Sequence, residues 1–406
     1  MNAKKKTARG GFVLAGGAAI QLLAGIPAGW GAFGPGVEKE YAFSTGQTIL
    51  IFSLIITAFG IGCVLGGALQ DHFGARAAAL PGAFCLGGGF FAASFFPAGR
   101  PVWFCLGFSL PVGLGCALLT PSVMSCAQKW FPHKRGFATG IIGGAAGLSG
   151  AVLTFAARWL GGGWGMRVCF RTLGLIMAVV CTLGALALKA PPADTSTADV
   201  PVASDKLTST GITAADRRAQ TPKEILRTRD YWLLTGAVAA AAPTVLLFSP
   251  VILTLAQQRG LSENIAALTI VIGSLTSAAG RLLLPWLSDR IGRRQTDLLL
   301  FAALAALSVI FAFVQKGWVV VLYACLTFCY SGQAALLPAF ATDRFGRQGS
   351  GISYGLLTLG MSAGSLVFPL LARLLQGESA PHWIAAAAAA AGFVCLWAYS
   401  RQSRSA

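Results

Sequence analysis

Residues 66–76 read GGALQDHFGAR, and residues 284–294 read LPWLSDRIGRR. Both segments follow a long apolar run, and both carry an aspartate, a glycine three positions later and an arginine after that glycine. The two aspartates, Asp71 and Asp289, lie 218 positions apart in a chain of 406 residues. A similarity at about half the chain length indicates an internal repeat, so we expect two related halves.

The composition around these segments is that of a membrane protein. Of all residues, 55% are apolar and only 11% are charged, whereas an ordinary soluble domain has about 25% charged residues. A soluble enzyme of this size would need more charge to cover its surface, and a disordered chain would have fewer apolar residues. We therefore expect a polytopic membrane protein that is not an enzyme.

Twelve apolar runs are long enough to cross a bilayer, for which a helix needs about 20 residues. They must be helical, because open strands cannot satisfy their backbone groups in lipid. The predicted spans are 11–33, 46–70, 77–97, 102–126, 136–158, 168–189, 231–256, 264–288, 296–315, 318–341, 350–373 and 383–400. Small residues favour close helix crossings, as with Gly136, Gly140, Gly144 and Gly147.

The predicted fold class is all-α, with twelve transmembrane helices in two pseudo-symmetric halves of six. A polar stretch rich in Pro, Thr, Ser, Ala and Asp divides them. We expect an amino-terminal half over 1–189, a cytoplasmic linker over 190–229 and a carboxy-terminal half over 230–406. Near the end of the linker, Thr221 and Pro222 are expected to begin a short helix as N-cap and first helical residue.

The basic residues predict the orientation of the chain. With the amino terminus inside the cell, 22 Lys and Arg residues fall on cytoplasmic segments, 8 fall outside and Arg281 lies within a span. Cytoplasmic loops are enriched in Lys and Arg, so we expect both termini in the cytoplasm of a bacterium with the chain in its inner membrane. This distribution explains the net charge of +17 without nucleic acid as a partner.

No cofactor or metal site is expected. The ten cysteines are scattered through apolar runs, and no pair has zinc-ligand or redox spacing. No phosphate-cradling Gly-Lys motif is present, which argues against a nucleotide-driven pump. Beyond the lipid bilayer, a substrate and a coupling solute, we expect no obligate partner and a monomeric protein.

The two Asp-x-x-Gly-x-Arg turns are candidates for gates. An acid at a helix end, a glycine that allows a left-handed turn and a following basic residue can hold neighbouring helices together on one side of a membrane. The alternative is an ordinary tight cytoplasmic turn. The predicted gating residues are Asp71, Gly74, Arg76, Asp289, Arg290, Gly292 and Arg293.

These turns, the six-plus-six layout and the linker resemble the major facilitator superfamily over essentially the whole chain. Other segments are similar to the oxalate:formate antiporter family, which is related to the monocarboxylate transporters. They are IQLLAGIPAGWGAF at 20–33, KWFPHKRG at 129–136, YWLL at 231–234, PAFATDRFG at 338–346 and YG at 354–355. The resemblance implies a secondary transporter that moves a small monocarboxylate by alternating access.

Arg281 is the strongest single candidate for a substrate-binding residue. It lies inside the eighth predicted span, where a charge at mid-bilayer costs at least about 2.5–3.5 kcal/mol. As a fixed cation it could bind a substrate carboxylate with two hydrogen bonds, and the resemblance implies a substrate-binding arginine at this place. The alternative is a side chain that reaches the lipid headgroups.

The acids and histidines all lie in loops or near the predicted span ends, so none is expected at mid-membrane beside Arg281. Ser277 stands where animal monocarboxylate transporters carry an aspartate, and Met361 stands where the oxalate exchangers carry a lysine. Two pocket tyrosines of that family are replaced by Ala28 and Leu118. The resemblance thus implies one unpaired positive charge, which favours a monoanion such as pyruvate, lactate or formate.

The remaining pocket candidates are polar, aromatic or thioether side chains within spans. They are Gln21, Trp30, Phe33, Thr120, Tyr330, Gln333, Tyr354, Thr358 and Met361. For the aromatic residues, helix packing is the competing interpretation. Coupling to a proton and exchange against another anion both remain open, and the alternative functions are an efflux carrier for amphipathic compounds and a membrane sensor without transport.

Overall fold

The computed structural model describes residues 3–131, 135–189, 221–346, 350–375, 377 and 379–405. Within these residues every regular element is helical and no strand occurs. Eleven helical segments are long and apolar enough to cross a membrane. The chain is therefore an all-α, multi-pass membrane protein, as predicted, while most of the predicted linker, residues 190–220, lies outside the described residues.

The first six spans occupy the amino-terminal half of the chain. Their helices are Ala3–Ala24 with Ile26–Tyr41 (first span), Thr45–Phe73 (second), Ala75–Ala93 (third), Pro101–Phe104 with Cys105–Ser109 and Leu110–Trp130 (fourth), Arg135–Ala156 with Ala157–Gly161 and Gly162–Trp164 (fifth), and Met166–Ala187 (sixth). The segments Cys105–Ser109 and Ala157–Gly161 are single π-helical turns inside longer helices.

The second half follows the same plan. Its helices are Arg229–Ala241 with Pro243–Leu246 and Ile252–Gln258 (seventh span), Glu263–Ile291 (eighth), Arg293–Phe313 (ninth), Trp318–Phe345 (tenth), Ser350–Leu374 (eleventh) and Ala380–Ser405 (twelfth). Before it, the short helix Pro222–Arg227 begins as predicted. Thr221 Oγ1 accepts the Glu224 N–H at 3.3 Å, and Glu224 Oε2 accepts the Thr221 N–H at 2.7 Å.

The seventh span is in its predicted place but is not one helix. The prediction was a continuous helix over 231–256, whereas the structure breaks it at Ala242 and again between Leu246 and Ile252. Pro243 and Pro250 each lack the backbone N–H that a continuing helix requires. The break in this seventh span explains why eleven, and not twelve, of the described helical segments are long and apolar enough to span a membrane.

The buried apolar side chains form two clusters. One comes almost entirely from the first six spans, and the other comes from residues 225–396. Between the clusters, the second span packs on the eleventh and the fifth packs on the eighth. A Cβ on Gly67 would lie 2.5 Å from the Gly351 carbonyl, and one on Gly147 would lie 2.4 Å from the Ala278 nitrogen, so the helices touch at backbone distance.

An even number of crossings places both described chain ends on one face of the bundle. We call this the Asp71 face, because the turn after the second span lies there. The opposite face, where the first span ends at Tyr41, is called the Tyr41 face.

Candidate functional site

Arg281 lies deep in the eighth span, and no acid in the described part of the chain pairs with it. None of the ion pairs among the described residues includes it. Its Nε is enclosed and makes no hydrogen bond, although the side chain as a whole is only half-buried. The charge of Arg281 therefore lies among protein atoms, while part of the side chain stays accessible.

Two phenols face the Arg281 guanidinium closely enough to interact with its charge. They belong to Tyr330 on the tenth span and Tyr354 on the eleventh. On the other side, the fifth span provides Gly143, where a Cβ would lie 3.6 Å from Arg281 Cβ. The arginine stem therefore lies against the first half, while its charged end is directed at residues of the second half.

Spans ten and eleven bring a third predicted residue to this place. Tyr330 Oη donates to Met361 Sδ at 3.6 Å. Thr358, one turn before Met361, donates to the Gly355 carbonyl at 2.7 Å and lies 3.4 Å from the Gly60 carbonyl of the second span. The eighth, tenth and eleventh spans thus meet the second and fifth spans around one set of polar side chains.

Position 277, one turn before Arg281, provides a hydroxyl and no charge. Ser277 Oγ lies 2.6 Å from Ser331 Oγ on the tenth span. Gln333, on the same helix as Tyr330, is 8% exposed. The surroundings of Arg281 are therefore polar but contain no carboxylate within the described part of the chain.

The predicted residues of the first half fall into two groups. Gln21 is buried, and Thr120 donates to Gln21 Oε1 at 3.4 Å, so the mid-span amide has a partner on the fourth span. Trp30 and Phe33 belong to an aromatic cluster, with Trp30 5.5 Å from Phe108 and Phe33 stacked 5.8 Å from Phe170 between ring centroids.

The location of Phe33 within the aromatic cluster indicates its role. Its ring is fully buried among the rings of the third and sixth spans, and no contact joins it to the Arg281 surroundings. Trp30 is also fully buried, but its Nε1 has no hydrogen-bond partner. Phe33 contributes to packing, while Trp30 keeps an unsatisfied donor that a polar ligand could use.

The first predicted gate turn joins the two halves. The Asp71 carboxylate accepts the backbone N–H of Ile352, and its two oxygens lie 3.1 and 3.2 Å from where a Cβ on Gly351 would be. Ile352 lies in the first turn of the eleventh span, where a helix N-terminus favours a negative charge. Gly74 has φ +87°, which is the left-handed turn that its position predicts.

The second gate turn has the same backbone but different partners. Gly292 has φ +95°. Arg293 lies 3.8 Å from Asp289 and also pairs with Asp343 at the end of the tenth span. Among the described contacts this network therefore stays inside the second half. Of the two other predicted gating arginines, Arg290 stacks 4.0 Å over the Trp286 ring, and Arg76 is exposed.

On the Tyr41 face, contacts that the sequence analysis did not identify also join the halves. Ser249, in the break of the seventh span, donates from Oγ to the Pro27 carbonyl at 3.0 Å. Arg158 Nη2 donates to Asn264 Oδ1 at 2.7 Å. The halves therefore touch on both faces, and Arg158 could have been suspected because it is one of the few basic residues outside the predicted cytoplasmic segments.

Two titratable side chains near span ends are more deeply buried than their positions in the sequence indicate. Asp297, in the ninth span near the Asp71 face, is 4% exposed and its Oδ1 has no partner. His382, at the Tyr41-face end of the twelfth span, is 3% exposed. Neither contacts Arg281 among the described interactions.

Comparison with known proteins agrees with this architecture. Residues 18–354 and 237–406 match the Major Facilitator Superfamily in two overlapping alignments. The chain belongs to the Major Facilitator Superfamily. It is therefore a transporter and not an enzyme, and the family resemblance of the sequence motifs is confirmed.

Individual relatives cover most of the chain. An uncharacterized MFS-type transporter, YhjX of Escherichia coli (strain K12), is 25% identical over 360 residues, which are 87% of this chain and 85% of YhjX. The oxalate:formate antiporter of Oxalobacter formigenes is 27% identical over 321 residues, 71% of this chain and 73% of the antiporter. The structure of the proton:xylose symporter XylE is similar with a TM-score of 0.71 at 14% identity, covering 97% of this chain and 96% of XylE.

Proposed function

We propose that this transporter moves small monocarboxylates such as pyruvate, lactate or formate. The observation that carries the proposal is Arg281, a cation deep in the bundle without an acidic partner among the described residues. Burying an unpaired charge is costly, so a ligand that neutralises the charge is the simplest reason for its presence. A carboxylate suits a guanidinium best because it accepts two parallel hydrogen bonds.

The neighbours of Arg281 favour an anion with one carboxylate. Tyr330 and Tyr354 provide hydroxyls for a keto or hydroxy oxygen, and Met361 occupies the place at which a second cation would be needed for oxalate. The relative from Oxalobacter formigenes is an oxalate:formate antiporter by name. We infer that this chain also binds carboxylates and prefers substrates with a single negative charge.

The rest of the site surrounds this centre in the proposal. Gln21, Thr120, Gln333 and Thr358 contribute polar atoms, and Trp30 contributes its free N–H. Phe33 supports Trp30 from the first half, with the ring centroids 6.4 Å apart. The contacts of Asp71 on one face and of Ser249 on the other would break in alternation, which exposes the site to one side at a time.

The proposed orientation places the Asp71 face in the cytoplasm of a bacterial cell and the Tyr41 face outside. The excess of basic residues on the predicted cytoplasmic segments supports it. We further propose that the anion enters with a proton, because no described acid or histidine neutralises Arg281 in the absence of substrate. Exchange against an internal anion is the second candidate, and the name of the Oxalobacter relative favours it.

Uptake into liposomes tests the function. Purified protein would be reconstituted and given labelled pyruvate, lactate, formate and oxalate, with an Arg227→Gln variant as a control for the loss of one exposed positive charge. We expect saturable uptake of the monoanions and weak uptake of oxalate. If no simple acid is transported or competes, while an amphipathic cation is, the chain is an efflux carrier and the proposal is wrong.

A further inference from the structure

On the Tyr41 face, the end of the first span in each half donates a hydrogen bond to the end of the third span of that half. In the first half, Tyr41 Oη donates to the Ala93 carbonyl at 2.9 Å. In the second half, Arg259 Nη1 donates to the Phe311 carbonyl at 2.7 Å. The second pair stands 218 positions after the first, which is the offset between the two aspartate turns. The repeat has therefore kept this contact and changed the side chain that makes it.

The charges beside the two contacts differ. In the first half, Arg167 lies 4.8 Å over the Tyr41 ring and pairs with Glu40 at 3.2 Å. In the second half, the Arg259 guanidinium has no carboxylate partner among the described residues, and its Nη2 lies 2.9 Å from His382 Nε2. A guanidinium only donates hydrogen bonds, so this imidazole nitrogen must accept, and His382 is neutral with its proton on Nδ1.

The His382 ring is enclosed by apolar surroundings. It is 3% exposed, its Nδ1 has no hydrogen-bond partner, and its centroid lies 4.8 Å from that of Phe248 and 5.6 Å from that of Phe311. Among the described residues of the seventh, ninth and twelfth spans, Arg259 is the charged group that acts on the His382 ring. Lys316, which follows the ninth span, contacts Arg259 through the backbone only, and its side chain is exposed.

This cluster lies directly behind the contact that closes the halves on the Tyr41 face. Phe248 is in the break of the seventh span, and the next residue, Ser249, donates to the Pro27 carbonyl of the first span. At Gly31 of the same span, a Cβ would lie 2.3 Å from the Ser249 carbonyl oxygen. A displacement of Phe248 would therefore act on the interface through its immediate neighbour.

We propose that His382 is a binding site for a proton from the Tyr41 face, and that this proton opens the contact between the seventh and first spans. An imidazolium has no acceptor, so the Arg259 N–H group would lose its partner, and two positive charges would meet in apolar surroundings. The proton binds more tightly once residues 247–260 have moved away. It therefore shifts the equilibrium towards the open state.

The consequence is a carrier whose Tyr41 side opens in response to acid. With the proposed orientation, that side faces outward, so acid outside the cell would expose the site to incoming substrate. The first half provides an internal reference, because a tyrosine makes the corresponding contact there, whereas in the second half an arginine–histidine pair does, and histidine changes charge between about pH 5 and 8. Only the statement that the Tyr41 side faces out of the cell rests on the proposed orientation. The test of the His382 site needs no substrate.

Hydrogen–deuterium exchange of the full-length protein in nanodiscs tests the proposal. Exchange of residues 247–260 would be compared with that of residues 36–44 at about pH 7.5 and about pH 5.5, after correction for intrinsic exchange rates. One proton changes the open population by at most tenfold per pH unit. We expect a rise of about three- to tenfold at residues 247–260 in acid and little change at residues 36–44.

Two variants separate a proton site from a packing role. In His382→Gln the amide oxygen accepts from Arg259 but cannot bind a proton, so exchange should stay low at both pH values. In Arg259→Gln the contact is weakened without acid, so exchange should be high at both. An acid response that persists in His382→Gln, or an unresponsive parent protein, would overturn the proposal. If His382→Gln is unfolded, Arg259→Gln decides alone, and low exchange at neutral pH in that variant contradicts the inference.

Discussion

Three arginines that the structure places near the membrane surfaces pair with carboxylates. Arg167 pairs with Glu40, Arg293 with Asp343 and Arg344 with Asp230. Arg281 is deeper than these and has no carboxylate among the described residues. Because a buried charge without a counter-charge is costly, the contrast points to a ligand that arrives from solution.

Replacement of Arg281 should remove substrate binding. Hydrogen bonds to charged groups contribute about 1.5–3 kcal/mol, so Arg281→Ala should weaken binding of a monocarboxylate roughly 10- to 100-fold. Arg281→Lys keeps the charge but loses the planar fork, and its effect should be smaller. Uptake and equilibrium binding at equal protein abundance in the liposomes measure both.

The matched control is Arg227→Gln, which removes an exposed arginine of the short helix Pro222–Arg227. It should leave binding of the anion unchanged. Near-normal uptake by Arg281→Ala would show that the arginine has only a structural role.

A second cation in the pocket should change the preferred charge of the substrate. Met361 contacts Tyr330, which faces Arg281, so Met361→Lys places an ammonium near the bound anion. We expect the ratio of oxalate to pyruvate uptake to rise about tenfold, and Met361→Leu, which adds no charge, to leave the ratio unchanged. Equal ratios in both variants would contradict the proposed position of the site.

The sequence could predict Arg281 but not the difference between Trp30 and Phe33. A charge inside an apolar run is visible without a structure, because the run itself gives its depth. Two aromatic residues in the same span look alike, and which neighbours they meet depends on how the other helices are arranged. Phe33 packs against Phe90 and Phe170, whose spans the sequence does not place beside it.

Sequence-based prediction of the helices has the same limit. The lengths and places of the spans followed from hydropathy, but the break of the seventh span did not. Proline alone is a poor guide, because Pro81, Pro121 and Pro338 lie inside helices that remain continuous. Pro243 and Pro250 act together over a short distance, and the segment between them contacts the first span through Ser249.

The two aspartate turns are alike in sequence and differ in the helices that they join. We expect Asp71→Asn to loosen the Asp71 face, because a neutral side chain stabilises the N-terminus of the eleventh span less, by about 1 kcal/mol or roughly fivefold in the closed population. Labelling of a single cysteine introduced at Ile352, in a background without other cysteines, measures the change. The affinity for substrate should remain within about twofold once the shift in population is included.

Asp289→Asn is the matched control for this experiment. Its described partner Arg293 belongs to the same half, so accessibility at position 352 should not change. Gly351→Ala is a second way to disturb the contact, because its methyl group would lie about 3.1 Å from an Asp71 oxygen. Unchanged labelling in both Asp71→Asn and Gly351→Ala would refute a gating role for the turn.

For the molecule as a whole, the halves touch on both faces at once. On the Asp71 face the contact includes the Asp71 carboxylate at a helix end beside the close approach of Gly67 and Gly351, and on the Tyr41 side it includes Ser249 and Arg158 with their partners. Each of these contacts is small, so a few kcal/mol from a bound anion or proton can change which one breaks. Net transport also requires an energy source.

Accumulation of an anion in a cell that is negative inside requires a second solute. No acid or histidine contacts Arg281 among the described residues, so we propose that a proton that travels inward is carried with the substrate carboxylate at that arginine. We therefore expect a pH gradient, acid outside, to drive accumulation of a labelled monocarboxylate into vesicles that contain no anion. One proton per monoanion makes the step electroneutral, so an imposed membrane potential should not change the final level. If accumulation instead needs an internal anion and ignores the pH gradient, the protein is an exchanger. If it follows a sodium gradient, the ion must be bound by backbone carbonyls and hydroxyls, since hard cations require oxygen ligands, and both coupling proposals are wrong.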